Sequence, residues 1–113
     1  MSEHALDERV YEVALYEKYG ELLSAAQKLI FADYYLYDLS YAEIAESRKS
    51  SRAAVLDAIK KSRAKLLEFE DKLHLVKKAD ELKRLSSLVE NSKTLEEKDK
   101  NLSALQEYIH HGL

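Results

Sequence analysis

The stretch LSYAEIAESRKSSRAAVLDAIKKSRAKL, residues 39–66, decides the fold. Ser40 and Glu43 have the spacing of a capping box, in which a hydroxyl and a carboxylate satisfy the free amides at a helix start. Ser51 marks a second helix start eleven residues later. A short helix, a tight turn and a longer helix directed outward make a helix-turn-helix. The stretch therefore predicts a helix-turn-helix.

The second of these helices has two distinct faces. With Val55 at the core centre and 100° per residue, the positions facing inward are Val55, Ile59, Ser62 and Leu66. The positions facing outward are Ala53, Asp57, Lys60, Lys61 and Ala64. Reading of bases relies on Arg at guanine and Asn or Gln at adenine, which the outward face lacks. Specific reading of DNA is expected to be weak, whereas contact with phosphate stays open.

Basic residues concentrate in this stretch of a mildly acidic chain. The net charge of the chain is −3, yet residues 48–65 hold seven basic side chains and the single acid Asp57. Such a patch is typical of a phosphate contact with RNA or DNA, a docking surface for an acidic protein, or a solvated face. The candidate nucleic-acid contacts are Arg48, Lys49, Ser51, Arg52, Lys60, Lys61 and Arg63.

Composition predicts an all-α protein. The 113 residues contain no proline, and the only glycines are Gly20 and Gly112. Helix starts of the capping-box type also occur at Ser24 and Thr94. The predicted helices cover residues 7–22, 25–37, 41–47, 52 onward with a bend near 78–82, and 95–110, with a loop at 90–93. We expect a helix-turn-helix domain over residues 5–65 and a C-terminal helical extension over 66–113, within one compact domain.

The first and the long fourth helix show apolar stripes. In the first, Val10, Val13 and Ala14 lead towards Tyr19 and Leu23. The fourth carries more apolar side chains than the preceding helices could cover, so we expect the last helix to fold back and a homodimer to form. The candidates for dimer or helix packing are Phe69, Leu73, Val76, Leu82, Leu85 and Val89.

Several functional classes find no support in the sequence. There is no cysteine, no histidine pair with zinc-ligand spacing and no glycine-rich phosphate cradle. The carboxylates alternate with lysines at helical surface spacing, as in Glu68 and Lys72. We predict no catalytic residues, no cofactor and no metal. The apolar runs are too short for a membrane span, so we expect a cytoplasmic protein without membrane insertion.

Residues 15–75 resemble the YlxM-like family of small bacterial helix-turn-helix proteins, itself similar to the fourth region of sigma factors. The residues that carry the resemblance are Tyr16, Tyr19, LLS at 22–24, Gln27, YY at 34–35, Asp38, SYAEIAE at 40–46, SRAAV at 51–55, Asp57, Ile59 and EFEDKLHL at 68–75. The turn differs, because Arg48, Lys49 and Ser50 occupy positions where the family has an aromatic or aliphatic residue, glycine and an aliphatic residue. A non-glycine residue in a left-handed turn costs about 1 kcal/mol.

The resemblance implies a sigma-like helical domain followed by long C-terminal helices. It also implies an accessory or regulatory role, without enzymatic activity, in the signal recognition particle pathway. Components of that particle are then expected partners. The residues leave two alternatives open: a DNA-binding transcriptional regulator, and a protein-interaction module that retains only the helix-turn-helix scaffold.

Overall fold

The computed structural model describes the backbone of residues 3–112 and the side chains of residues 8–112. Over this range the chain is helical and contains no strand. The helices are α1 Glu3–Tyr19, α2 Ala25–Tyr35, α3 Tyr41–Ser47, α4 Arg52–Leu73, α5 Leu75–Glu90 and α6 Leu95–His111, with a single turn of 3-10 helix at Gly20–Leu22. The all-α class and the helix-turn-helix at α3–α4 are confirmed. The chain divides into two compact units, Met1–Leu73 and His74–Leu113.

The core of the first unit contains the side chains that join the helix-turn-helix to α2. Ile44 and Ala45 of α3 pack with Val55 and Ile59 of α4, all of them buried. Ile30, Tyr34, Tyr35, Leu39 and Tyr41 pack against this cluster. The predicted inner face of α4 is confirmed, because Val55, Ile59, Ser62 and Leu66 are all less than 5% exposed. The Ser62 hydroxyl meets its hydrogen-bonding need by donating to the carbonyl of Ala58.

The predicted helix starts are present. Ser24 and Ser40 form full capping boxes with Gln27 and Glu43. Ser51 Oγ accepts from the amide of Ala54, and Thr94 Oγ1 accepts from the amide of Glu97, each at 3.1 Å. The Glu97 carboxylate, however, accepts from the amide of Lys93 rather than from that of Thr94.

The break in the long C-terminal helix falls earlier than predicted. It lies at His74, whose φ of 56° is left-handed, and not near residues 78–82. The apolar steps beyond residue 79 drift around the helix without ending it, and α5 runs unbroken to Glu90. No glycine or proline lies near the break, so the sequence lacks the residues that usually interrupt a helix.

The inner face of α1 also differs from the predicted stripe. Tyr19 and Leu23 are buried as predicted, but Val10 is 61% exposed, and Leu15, which the predicted stripe omits, is buried. Glu12, one turn before Leu15, is buried as well. The stripe is therefore displaced towards the side that holds a carboxylate, which a search for apolar positions alone does not find.

The second unit is a helical hairpin of α5 and α6. The Asn101 side chain links the helices by donating to the carbonyl of Leu88 at 3.1 Å and to Ser92 Oγ at 2.8 Å. Of the predicted packing residues in this unit, Val76 and Leu85 are buried and Leu82 and Val89 are half-buried. In the first unit, Phe69 is half-buried and lies against Tyr19, and Leu73 is 46% exposed. The last helix thus folds back on α5, as expected.

Candidate nucleic-acid interface

The turn between α3 and α4 is a left-handed helix ending built on Lys49. Lys49 has φ 54°, the amide of Ser50 donates to the carbonyl of Ala45 at 2.8 Å, and the amide of Lys49 donates to the carbonyl of Glu46 at 3.3 Å. This pair of bonds is the Schellman arrangement, in which glycine usually holds the left-handed position. The turn keeps the geometry that glycine favours and places an exposed lysine side chain at its tip.

Arg48 is directed back onto the unit instead of outward. Its Nε and Nη2 both donate to Oδ2 of Asp33 on α2, at 3.1 and 2.8 Å. The Asp33 side chain is only 14% exposed, so the pair is shielded from solvent on the acid side. Charge-assisted bonds of this kind fix the turn against α2. Arg48 therefore acts first as an anchor of the turn.

Arg63 has a comparable structural role lower on α4. Its Nε lies 2.5 Å from Oε1 of Glu12, whose side chain is 6% exposed. Burial raises the pKa of Glu12, while a hydrogen bond from Tyr35 and the charge of Arg63 act in the opposite direction. A buried carboxylate needs such a partner. The charge of Arg63 is thus largely used inside the first unit.

Of the remaining candidate residues, some have a hydrogen-bond or ion-pair partner and others form no ion pair. Ser51 caps α4, and Lys61 forms an exposed pair with Asp57 at 2.9 Å. Since exposed pairs of this type contribute little, Lys61 can exchange Asp57 for another anion. Within the part of the chain that the structure describes, Lys49, Arg52 and Lys60 are exposed and form no ion pair.

The free cations lie in the turn and on α4 of the helix-turn-helix. Lys49 lies at the tip of the turn, Arg52 in the first turn of α4, and Lys60 two turns further along. Ala53 and Asp57 are also exposed on α4, as predicted. This surface provides positive charge without the long amide side chains that read bases. It can hold phosphate, but it offers little to distinguish one base from another.

Sequence reasoning missed the acids that occupy Arg48 and Arg63. Asp33 lies 15 residues from Arg48, and Glu12 lies 51 residues from Arg63. A helical repeat that includes Leu15 and Tyr19 would have placed Glu12 on the inner face of α1, because it lies one turn before Leu15. No comparable signal identifies Asp33, whose pairing depends on how α2 and the turn pack together.

A separate cavity of about 330 Å³ lies where α2 leads into α3. Its only basic residue is Arg9, which donates to the carbonyl of Tyr34 and to Asp38 Oδ1, each at 2.7 Å. The Arg9 guanidinium also lies over the Tyr34 ring. Arg9 thus joins α1 to the end of α2. The other lining residues are Leu39, Ser40, Tyr41 and Glu43.

The described residues contain no group of histidine and acidic side chains placed to hold a metal ion. No helix in the described part of the chain is both long and apolar enough to cross a membrane.

Comparison with known proteins identifies the family of this helix-turn-helix chain. A family model described as "Putative helix-turn-helix protein, YlxM / p13 like" (UPF0122) matches residues 6–107. The chain belongs to this family. The match covers all of α2 to α5 and most of α1 and α6, so both units are family features.

Curated relatives support the same assignment. UPF0122 protein YlxM of Bacillus subtilis is 42% identical over 96 residues, covering 81% of this chain and 87% of the relative. A UPF0122 protein of Bacillus pumilus is 41% identical over 96 residues with the same coverage. UPF0122 protein Teth514_1714 of a Thermoanaerobacter species is 35% identical over 101 residues, covering 88% and 86%. The resemblance predicted from residues 15–75 is thereby confirmed.

Proposed function

We propose that this protein is a non-enzymatic, cytoplasmic accessory or regulatory factor that contacts the RNA of the signal recognition particle. Its helix-turn-helix unit would hold the RNA backbone with Lys49, Arg52 and Lys60, assisted by Lys61. The observation that carries the proposal is that some basic side chains of residues 48–65 are paired with acids and others are not. Arg48 and Arg63 pair with acids of the first unit, while Lys49, Arg52 and Lys60 lie exposed and unpaired among the described residues.

Support for RNA comes from the chemistry of the outward face. Recognition of helical RNA relies largely on shape and phosphate contacts rather than on base edges in the major groove. Exposed alanine at Ala53 and an acid at Asp57 are compatible with such contact but poorly suited to base reading. The link to the signal recognition particle rests on the family resemblance alone.

Transcriptional regulation through duplex DNA is the second candidate. The helix-turn-helix geometry favours it, because Arg52 lies at the start of α4, the end of a recognition helix that usually meets the bases. The pair of Asp57 and Lys61 opposes it, since an acid on the outward face would approach phosphate with like charge. A third candidate is a protein-interaction module without any nucleic-acid ligand.

Fluorescence anisotropy at two salt concentrations tests the proposal. The purified protein is titrated against signal recognition particle RNA and against a mixed-sequence duplex DNA. The triple variant Lys49→Glu/Arg52→Glu/Lys60→Glu should lose RNA binding. In single Lys→Ala or Arg→Ala variants at these positions, the slope of log affinity against log salt should fall by roughly 0.7–0.9 per contact removed.

A matched control is the triple variant Lys83→Glu/Lys93→Glu/Lys100→Glu, which changes three exposed lysines of the second unit. It changes the net charge by the same amount and should leave RNA binding unaltered. Discrimination of one duplex sequence by about 10³ or more would favour the regulator. Unchanged binding by the first triple variant would contradict the assigned surface. Absence of binding to both nucleic acids would contradict the proposed function and favour the protein-interaction module.

A further inference from the structure

The cavity where α2 leads into α3 already holds one arginine side chain of the protein itself. The guanidinium carbon of Arg9 lies 5.7 Å from the ring centroid of Tyr34 and 5.8 Å from that of Tyr35. The same group donates to Oδ1 of Asp38 and to the carbonyl of Tyr34, each at 2.7 Å. Aromatic faces combined with a carboxylate are surroundings that suit a guanidinium group. The first unit therefore shows, with its own residues, how an arginine is held here.

The rest of the cavity offers a second set of groups of the same kind. Its volume of about 330 Å³ is at the lower end of the range for ligand sites. Tyr41 lines it with a ring whose centroid lies 4.9 Å from that of the Tyr34 ring. A hydrogen bond with Tyr34 and burial raise the pKa of Tyr41 to about 12, so this phenol stays neutral at physiological pH. Glu43 adds an exposed carboxylate to the lining.

The charge of the cavity favours a cation. Arg9 and Asp38 neutralise each other, whereas Glu43 forms no ion pair among the residues that the structure describes. Hydrogen bonds with Ser40 lower the pKa of Glu43, so its carboxylate is charged at neutral pH. Residues 1–47 as a whole hold ten acidic and three basic side chains. This surface would repel an anion such as phosphate and attract a cation.

We propose that the cavity binds an arginine side chain of a partner protein, with the guanidinium group against the Tyr41 ring and paired with Glu43. Arginine fits better than lysine, because a planar guanidinium can stack on a ring while it donates to a carboxylate. An arginine within a protein chain fits better than the free amino acid, since the free amino acid would bring an α-carboxylate into acidic surroundings.

NMR titration of the full chain, labelled with nitrogen-15, tests the proposal. The probe is N-acetyl-arginine amide, which mimics an arginine within a chain. Backbone amides of residues 38–43 should shift and saturate with a dissociation constant on the order of 1–10 mM, as expected for a ligand of this size. N-acetyl-citrulline amide has nearly the same shape without the charge and should give no saturable shifts. N-acetyl-lysine amide should bind more weakly than the arginine probe.

Glu43→Gln removes the proposed ion-pair partner and keeps the helix start. Glutamine serves at the equivalent place of a capping box in this chain, where Gln27 bonds with Ser24. The variant should bind the arginine probe roughly two- to five-fold more weakly, which is the effect of one exposed ion pair. Glu97→Gln makes the same change at the start of α6, outside the cavity, and should bind the probe like the parent. Equal binding by Glu43→Gln and Glu97→Gln would contradict the role of Glu43.

Arg9→Ala empties the position that the protein fills with its own side chain. The arginine probe could then also pair with Asp38 and lie over the Tyr34 ring. We therefore expect tighter binding by this variant than by the parent, together with a larger rise of Tm on addition of the probe. Binding by Arg9→Ala without any binding by the parent would mean that Arg9 alone uses the cavity, and would overturn the proposal.

The other probes define the ligand. Equal binding of the arginine and lysine probes would show a site for any cation and overturn the assignment to arginine. Saturable binding of the citrulline probe would exclude charge as the basis of recognition. Tighter binding of free L-arginine than of the blocked probe would assign the cavity to a small molecule instead of a partner protein.

The cavity is separate from the surface proposed to contact RNA. Lys49, Arg52 and Lys60 are not among the residues that line it. Anisotropy with RNA reports on these three cations, and the NMR titration reports on residues 38–43. Failure of either proposal therefore leaves the other standing.

Discussion

The two units bury their apolar side chains to very different extents. In the first, Leu15, Phe31 and Ile44 have no exposed surface, and an aromatic network links α1, α2 and α3. In the second, Val76 and Leu85 are the only described residues that are buried. Helical stability in proteins comes mostly from packing of an apolar face. The first unit therefore has the packing expected of an independent domain, while the hairpin lacks a complete core.

The largest loss of stability is expected at Phe31, in the packed core of the first unit. Its ring stacks on Tyr16 at 5.2 Å and on Tyr35 at 4.4 Å between ring centroids. Phe31→Ala should lower the free energy of unfolding of the first unit by about 3–5 kcal/mol, measured by urea unfolding. Leu29→Ala, on the same helix but 52% exposed, serves as the matched control and should cost well below half as much. Similar losses at both positions would argue against the observed core.

A smaller effect is expected at the ion pair of Glu12 and Arg63. Arg63→Met leaves a buried carboxylate without its cation and should cost about 1–3 kcal/mol at pH 7, a range that allows for the half-exposed arginine. Burial already raises the pKa of Glu12, and loss of Arg63 raises it further. Because the folded state then holds its proton to higher pH than the unfolded state, stability falls as pH rises from about 4.5 through the raised pKa.

The pH dependence distinguishes this mechanism from lost packing. At pH 4 the carboxyl is largely protonated in both states, so Arg63→Met should approach the parent in stability. The double variant Glu12→Gln/Arg63→Met should lose the dependence altogether. Thermal unfolding at several pH values measures both. A cost for Arg63→Met that is equal at pH 4 and pH 7 would contradict an electrostatic role.

The smallest change in stability is expected at two residues with a left-handed backbone conformation, one in each unit. Lys49 has φ 54° and His74 has φ 56°, and glycine adopts this conformation without steric cost. Lys49→Gly and His74→Gly should each raise the free energy of unfolding by up to about 1 kcal/mol. Only Lys49→Gly should also weaken RNA binding, because it removes one of the free cations. Equal RNA binding by the two variants would argue against Lys49 as an RNA contact.

Local signals in the sequence predicted most of the helical framework. Serine or threonine followed three residues later by glutamate or glutamine located the starts of α2, α3 and α6, because capping chemistry acts within one turn. The four inward positions of α4 followed from a single periodic assumption about Val55. The break at His74 could not be found in this way, since a left-handed histidine carries no recognisable signature.

The candidate site was predictable only in part. Charge density located the basic segment, but it could not tell that Arg48 and Arg63 are engaged by Asp33 and Glu12. These pairs join residues on different helices, so they depend on how the helices pack. The exposure of Leu95, Leu102 and Ile109 on α6 was not predictable for a related reason. Only the structure shows which apolar residues α5 covers and which it leaves exposed.

The length of α4 has a mechanical consequence. Its 22 residues form a rod of about 33 Å, whose first turn carries Arg52 and whose last residue is Leu73. Between them the hydroxyl of Tyr19 on α1 holds Glu70 by a buried 2.5 Å hydrogen bond. The same helix is fixed at two further places, because Val55 and Ile59 lie in the core and Arg63 pairs with Glu12 of α1. A ligand that displaces the first turn of α4 must therefore either break these contacts or move α1 together with α4.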